Sequence, residues 1–437
     1  MTRKNSVRSG FVPARHARNH VRGFADSLRH GARMNPFTIA RRILPALALG
    51  LLFWDCKGST RGPEDTTRQE TSNMALSWVT VPATDTRIQY VGRTYRSSTG
   101  VVFSHPGVTV RARFWGDALR MRLDDAGTGG EVGTNHFDVS VDGAPPTRLA
   151  VRSGEATYPL TPALTVGLHT VELLKRTESI VGPSELVALE VHGELREPPA
   201  RPGLRMEFIG DSITCGYGTD VAFIPESRSW RAPTFTSKHQ NPRRTYAWLT
   251  AMNLGAEPVL VCYSGHGVYR NLDLTTSGLL PALYGLAVPG HPAAWEFTGG
   301  SPDVIVINVG TNDTLAGSGT DASLPDEAGF KAAYRAFLQR LRTLHPRAHI
   351  VCTLGSMTDG YKKLEGHGVV KSVHVGDWIT GLVEERRRAG DTRVHRHVMA
   401  EQDPATDGVA EDWHPSAATH QKMAESLTRF IRDVVLP

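Results

Sequence analysis

Residues 196–203 read Arg196-Glu197-Pro198-Pro199-Ala200-Arg201-Pro202-Gly203, and the spacing of apolar residues changes across this stretch. Proline at this density blocks both helix and central strand, so the segment makes a short, stiff spacer. Before it, apolar and polar residues alternate at 108–114, 119–123, 137–141 and 168–173. A period of two marks half-buried strands. Turn signals separate them at Val141-Asp142-Gly143-Ala144-Pro145, Arg152-Ser153-Gly154 and Gly127-Thr128-Gly129-Gly130. Short strands without a long helical stretch predict an all-β, jelly-roll-like sandwich over residues 76–195. Trp115 and Tyr158 are expected as core aromatics there, with stacking on sugar as the other use.

After the spacer, apolar runs of strand length at 205–209, 258–263, 303–309, 349–354 and 393–399 alternate with helical periodicity near 243–254, 326–344, 376–389 and 416–435. Phe330, Ala333, Tyr334, Phe337, Leu338 and Leu341 share one helical face. Met423, Leu427, Phe430, Ile431 and Val434 share another. This alternation predicts an α/β domain over residues 204–437, a mainly parallel sheet with helices on both faces. Such a topology gathers the carboxyl ends of the strands along one edge, where open α/β sheets place ligands.

Chemistry-bearing residues cluster at those strand ends. The run Met206-Glu207-Phe208-Ile209 stops at Gly210-Asp211-Ser212, and a glycine-broken loop follows as far as Gly218. The run 303–309 stops at Gly310-Thr311-Asn312-Asp313, and Glu411-Asp412-Trp413-His414-Pro415-Ser416 precedes the last helix. A serine hydroxyl becomes nucleophilic when an oriented imidazole takes its proton. Ser212 and His414 are the candidates for that pair. The Asn312 amide is a candidate oxyanion donor beside the Ser212 N–H. Asp211 and Asp313 read as carboxylates holding their loops through backbone N–H groups.

Gly210-Asp211-Ser212, Gly265 in Ser264-Gly265-His266-Gly267, Gly310-Thr311-Asn312-Asp313 and His414-Pro415 resemble, in order, the four blocks of the SGNH (GDSL-type) hydrolases. The longer forms, 210–218 and Asp412-Trp413-His414-Pro415-Ser416, resemble carbohydrate esterase family 2. The resemblance covers the chain from about residue 93 to its end. It implies a three-layer αβα, flavodoxin-like hydrolase domain behind an N-terminal β-sandwich. It also implies removal of O-acetyl groups from plant-type polysaccharide through an acyl-enzyme on Ser212, with no cofactor. By block position, Gly265 joins Ser212 and Asn312 in the oxyanion hole. The usual pattern has Asp three residues before the histidine, where this chain has Glu411. Asp412 is the first expectation for orienting His414 and Glu411 the second, and some family members use main-chain carbonyls instead. Trp413 is a candidate substrate contact, as an apolar wall or a stacking face. His266 reads as substrate-side or structural. The rivals are a lipase- or thioesterase-like hydrolase of the same fold and a non-catalytic sugar-binding lipoprotein. Intact Ser212, Asn312 and His414 weigh against the second.

Net charge is +5, yet residues 1–33 hold eight Lys or Arg against one acid and carry +7, which leaves the body at −2. The basic character belongs to the head, no basic stripe with interleaved aromatics follows, and nucleic acid is not expected as a partner. Met34 reads as a second start. After Arg41-Arg42, residues 43–54 form an apolar run with the pattern of a secretory signal, too short to span a bilayer comfortably. Residues 1–56 therefore read as start extension plus signal, and 57–75 as a flexible tether. Cys56, directly after the run, resembles the lipidated cysteine of bacterial lipoproteins, although Trp54 and Asp55 depart from the small residues such a site prefers. The expected location is secreted or lipid-anchored at the cell surface, as a monomer. Of the other cysteines, Cys262 and Cys352 read as small core residues. Cys215 packs beneath the turn or, alternatively, is itself the nucleophile. No His-Glu-x-x-His and no Cys-x-x-Cys occurs, so no metal site is expected.

Overall fold

The computed structural model of the chain describes residues 76–222, 233–315, 326–357 and 375–436. The expected signal segment, the tether and Cys56 lie outside the described residues.

The strands of the first sheet are β1 (Trp78–Pro82), β2 (Gln89–Val91), β3 (Tyr95–Arg96), β4 (Val101–Phe103), β5 (Thr109–Asp125), β6 (His136–Val141), β7 (Thr147–Ala150), β8 (Gly154–Pro159), β9 (Gly167–Lys175) and β10 (Ser184–Arg196). All their pairings are antiparallel, in the order β3-β4-β10-β5-β9-β6-β7, with β1 on β10 and β2 and β8 on β5. Their inward residues, Val110, Phe114, Met121, Leu123, Phe137, Leu173 and Leu189 among them, enclose one apolar core.

Where the alternation predicts two strands, 108–114 and 119–123, the chain forms the single 17-residue strand β5. Gly116-Asp117 reads as a break but forms a bulge, since the register against β10 shifts between His192 and Gly193. A Cβ at Gly116 would lie 2.0 Å from the His192 carbonyl oxygen, so only glycine fits that crossing. One edge of β5 pairs with β9 over its first half and with β8 over its second, which bends the sheet over the core. Trp115 is not a core aromatic. It points outward and is 40% exposed, whereas Tyr158 packs against the core.

The second sheet is wholly parallel, with β11 (Leu204–Gly210), β12 (Ala256–Cys262), β13 (Val304–Asn308), β14 (His349–Thr353) and β15 (Val394–Arg396) in the order β12-β11-β13-β14-β15. Its strands are apolar on both faces because both are covered. Ile209, Ile305, Ile307 and Ile350 pack under the helices Glu327–Leu344 and Val375–Arg388. Met206, Phe208, Val304, Val306 and Val351 pack under Tyr246–Asn253 and Ala417–Phe430. The result is the three-layer αβα arrangement. At the end of the last helix Val434 is 53% exposed rather than buried with its expected face, because the final turn widens over Ile431–Val435.

The two sheets belong to one compact unit, Leu76–Pro437. Leu174 at the end of β9 joins the core around Met206, Phe208 and Trp248. Arg93 is fully buried against the second sheet, its guanidinium 4.3 Å from the Tyr284 ring centroid and 3.4 Å from Glu207 Oε2.

Candidate active site

Gly210 at the end of β11 pairs in register with Cys262 of β12 and Asn308 of β13. Two, three and four residues beyond that row come Ser212, Gly265 and Asn312. The strand order reverses between β11 and β13, so Ser212 and Asn312 flank the switch point at which α/β sheets open a crevice.

Ser212 opens the one-turn helix Ser212–Cys215. The Asp211 carboxylate caps it by accepting the Ile213 N–H at 3.0 Å, and Gly216 closes it in the left-handed region with φ 83°. The turn is tight: a Cβ at Gly210 would lie 2.0 Å from Thr214 Oγ1. Across the crevice, His414 Nε2 lies 2.7 Å from Ser212 Oγ. One face of the imidazole stacks on Tyr217, with centroids 4.2 Å apart.

The other ring nitrogen corrects the first expectation. His414 Nδ1 lies 2.9 Å from the main-chain carbonyl oxygen of Glu411, and the Asp412 carboxylate does not hydrogen-bond the ring. Asp412 Oδ2 instead accepts the Tyr217 hydroxyl at 2.8 Å and the Phe235 N–H at 3.2 Å. The cause is backbone shape. Asp412 and Trp413 both have positive φ, 48° and 65°, a strained pair for residues with side chains. That turn brings the Glu411 carbonyl under His414, where it also accepts the His414 N–H at 3.0 Å, and sends the Asp412 carboxylate away. The Glu411 side chain is fully buried and faces elsewhere, accepting the Thr236 N–H at 2.9 Å, the Thr236 hydroxyl at 2.7 Å and His239 Nδ1 at 2.7 Å.

A carbonyl only accepts, so Nδ1 carries the proton and Nε2 is left to accept one from Ser212. Burial pushes the His414 pKa below the ordinary 6.5, opposed by the Glu411 carbonyl and by the negative charge of Asp412. The ring is therefore neutral at neutral pH, with Nε2 able to accept a proton.

Asn312 Nδ2 donates to the His266 carbonyl at 3.0 Å and lies 3.4 Å from Asp211 Oδ2, which seats the amide between the two neighbouring loops. Gly265 has φ 79°, and a Cβ there would meet nothing within 4 Å. Asp313 holds the loop beyond it, accepting the N–H groups of Val268, Tyr269 and Arg270 at 3.1, 2.8 and 3.0 Å. Burial pushes Asp211 up to about 7. The His266 ring bonds the Gly278 carbonyl at 2.7 Å, which fits its structural reading. Trp413 is half-buried, and its carbonyl accepts the Gln402 amide at 3.0 Å.

Cys215 and Cys262 form a disulfide, which excludes Cys215 as nucleophile and gives Cys262 a partner beyond core packing. It ties the helix of Ser212 to the end of β12. Cys352 is free and buried. Sequence reasoning missed the disulfide, the Tyr217 stack and a buried carboxylate from the sandwich, Glu178, which reaches the loop of Gly265. Tyr217 had a signal, its place in the extended block. The other two had none.

A half-buried hydroxyl–imidazole pair at the carboxyl edge of a five-stranded parallel sheet defines a serine hydrolase of the GDSL type. Residues 208–422 match the GDSL-like Lipase/Acylhydrolase family, and residues 90–199 match the family described as Carbohydrate esterase 2 N-terminal. The chain belongs to carbohydrate esterase family 2. It is similar to a family two carbohydrate esterase from Clostridium thermocellum solved with cellohexaose, at 31% identity and a TM-score of 0.69, covering 79% of this chain and 98% of that one. It is 29% identical over 371 residues to an acetylxylan esterase / glucomannan deacetylase of Cellvibrio japonicus, covering 84% of this chain and 94% of that protein. It is 33% identical over 348 residues to the cellulase/esterase CelE of Acetivibrio thermocellus, covering 79% of this chain but spanning only 39% of that longer protein.

Proposed function

We propose that the chain is a serine esterase that removes O-acetyl groups from polysaccharide. The observation that carries this reading is the 2.7 Å contact between Ser212 Oγ and His414 Nε2, at a site whose relatives are named as carbohydrate deacetylases. Ser212 Oγ attacks the acetyl carbonyl carbon while Nε2 takes its proton. The oxyanion that forms is held by the Ser212 and Gly265 N–H groups and by Asn312 Nδ2, donors placed where the charge develops. The intermediate collapses, the ester C–O bond breaks, and His414 returns its proton to the departing sugar hydroxyl. Water, deprotonated by the same nitrogen, then attacks acetyl-Ser212 and releases acetate.

Ser212 and His414 act as a dyad in this reading. The Glu411 carbonyl sets the tautomer, a role a carboxylate has in the triad. A carbonyl is only a dipole, so Asp412 supplies the missing negative charge through space. The buried disulfide and the expected signal segment support export to an oxidising compartment. Among the described residues no helix is long and apolar enough to cross a membrane. Lipidation at Cys56 is the proposed means of retention at the cell surface.

The test compares hydrolysis of 4-nitrophenyl esters of increasing acyl length with acetate release from acetylated xylan and glucomannan. Preference for acetyl, release of acetate from both polymers, and loss of both activities in Ser212→Ala are expected. Preference for long acyl chains would move the chain to the lipase-like reading.

A further inference from the structure

Lys175, Arg176, Thr177 and Glu178 are four consecutive polar residues at the end of β9, and all four are buried, at 0, 4, 0 and 0% exposure. Burial of such groups is costly unless each finds partners. Lys175 Nζ donates to Asn135 Oδ1 at 2.8 Å, to the Thr177 carbonyl at 2.7 Å and to Thr177 Oγ1 at 3.0 Å, which pins the loop to the sandwich. Arg176 bonds Asp138 at 2.8 Å and also bonds Asp220 of the hydrolase domain. Glu178 then projects into the other domain. Its carboxylate accepts the Ser264 N–H at 2.8 Å, the Ser264 hydroxyl, and Gln240 Nε2 at 2.9 Å, while its own N–H donates to Gln240 Oε1 at 3.0 Å.

Ser264 immediately precedes Gly265. Glu178 fixes the peptide before Ser264. The bond from the Leu272 N–H to the Gly265 carbonyl, at 2.8 Å, fixes the peptide after Gly265. Between these anchors, the peptide carrying the Gly265 N–H has its direction set, and the Cβ position of Gly265 itself faces open space. On the esterase reading above, we propose that Glu178 is a positioning residue. From the sandwich, it aims the oxyanion-binding N–H of Gly265 through its hold on Ser264. The sandwich is then part of the catalytic device, and substrate need not touch it for the two domains to depend on each other.

The test uses the full chain with 4-nitrophenyl acetate, counting active sites with a serine-directed phosphonate. In Glu178→Gln one carboxylate oxygen becomes an NH₂ group facing a second donor, at Ser264 or Gln240. The kcat per titrated site should fall about ten- to a hundredfold, short of the 10²–10³ for losing an oxyanion donor outright, with KM little changed. A purely structural role would lower the melting temperature and the titrated fraction but leave kcat per site intact, and that result overturns the proposal. Glu178→Gln combined with Gln240→Glu restores complementary pairing and total charge, so it also serves if the single variant does not fold. It should regain most of the lost kcat, and a folded double variant that stays slow overturns the proposal. Failure of the esterase reading itself would show separately, as a wild-type rate no higher than that of Ser212→Ala.

Discussion

The Nδ1 of His414 lies 2.9 Å from the main-chain oxygen of Glu411, so the imidazole takes its orientation from the backbone rather than from a carboxylate. Asp412 sits next in the chain, yet its carboxylate reaches the ring through the Tyr217 stack and through its field rather than by a hydrogen bond. In a true triad, neutralising the aspartate costs about 10⁴ in kcat. Here Asp412→Asn should cost only about tenfold, because it removes a field across the site and no hydrogen bond to the ring. Steady-state kinetics on 4-nitrophenyl acetate checks this, and a loss near 10⁴ would return the carboxylate to the ring.

Glu411 acts through an atom that no side-chain substitution removes. Glu411→Ala should therefore keep kcat within the range of Asp412→Asn. It leaves the Thr236 N–H, the Thr236 hydroxyl and His239 without their acceptor, and should destabilise the fold by about 1–3 kcal/mol. Denaturant unfolding of the variant measures the second effect.

On the proposed mechanism the active form of His414 is neutral, and burial lowers its pKa below 6.5. As pH falls the base is lost only on passing that lowered value. The acid limb of kcat/KM should therefore lie below 6.5, and activity should persist into mildly acidic solution. A pH–rate profile on a substrate without ionising groups in that range reads it directly, and an acid limb above 6.5 would contradict the burial argument.

The disulfide closes a sequence separation of 47 residues and joins the helix of Ser212 to the strand that leads to Gly265. In the chain-entropy account a loop of that length is worth about 4 kcal/mol. Cys215→Ser should lower the melting temperature markedly and slow turnover as the two loops lose their tie. Both bonded cysteines are buried, so reductant alone should act slowly on the folded enzyme.

Much of this site was legible because its parts are local in sequence. Ser212, Asn312 and His414 each sit in a short block at a strand or helix end, and parallel topology brings such ends together. The partner of Nδ1 was not legible. It depends on two residues with side chains, Asp412 and Trp413, adopting positive φ, which no residue type there announces. Glu178 was hidden by distance, 86 residues from Ser264 and in the other domain. Cys262 read as core and Cys215 as packed beneath the turn or as nucleophile, because their pairing needs the adjacency of β11 and β12. The single β5 read as two strands because Gly116-Asp117 is turn-like, and only its pairing with the continuous β10 shows that Asp117 is a bulge and that the strand continues.

The central claim is that the acetyl group passes through Ser212. Mass spectrometry of wild-type enzyme acid-quenched during turnover of an activated acetyl ester tests it most directly. The account predicts one added acetyl group on the peptide containing Ser212, absent from Ser212→Ala, and lasting longer when deacylation is slowed by His414→Ala. Steady acetate release with no acetyl on that peptide, and with Ser212→Ala still active, would contradict it.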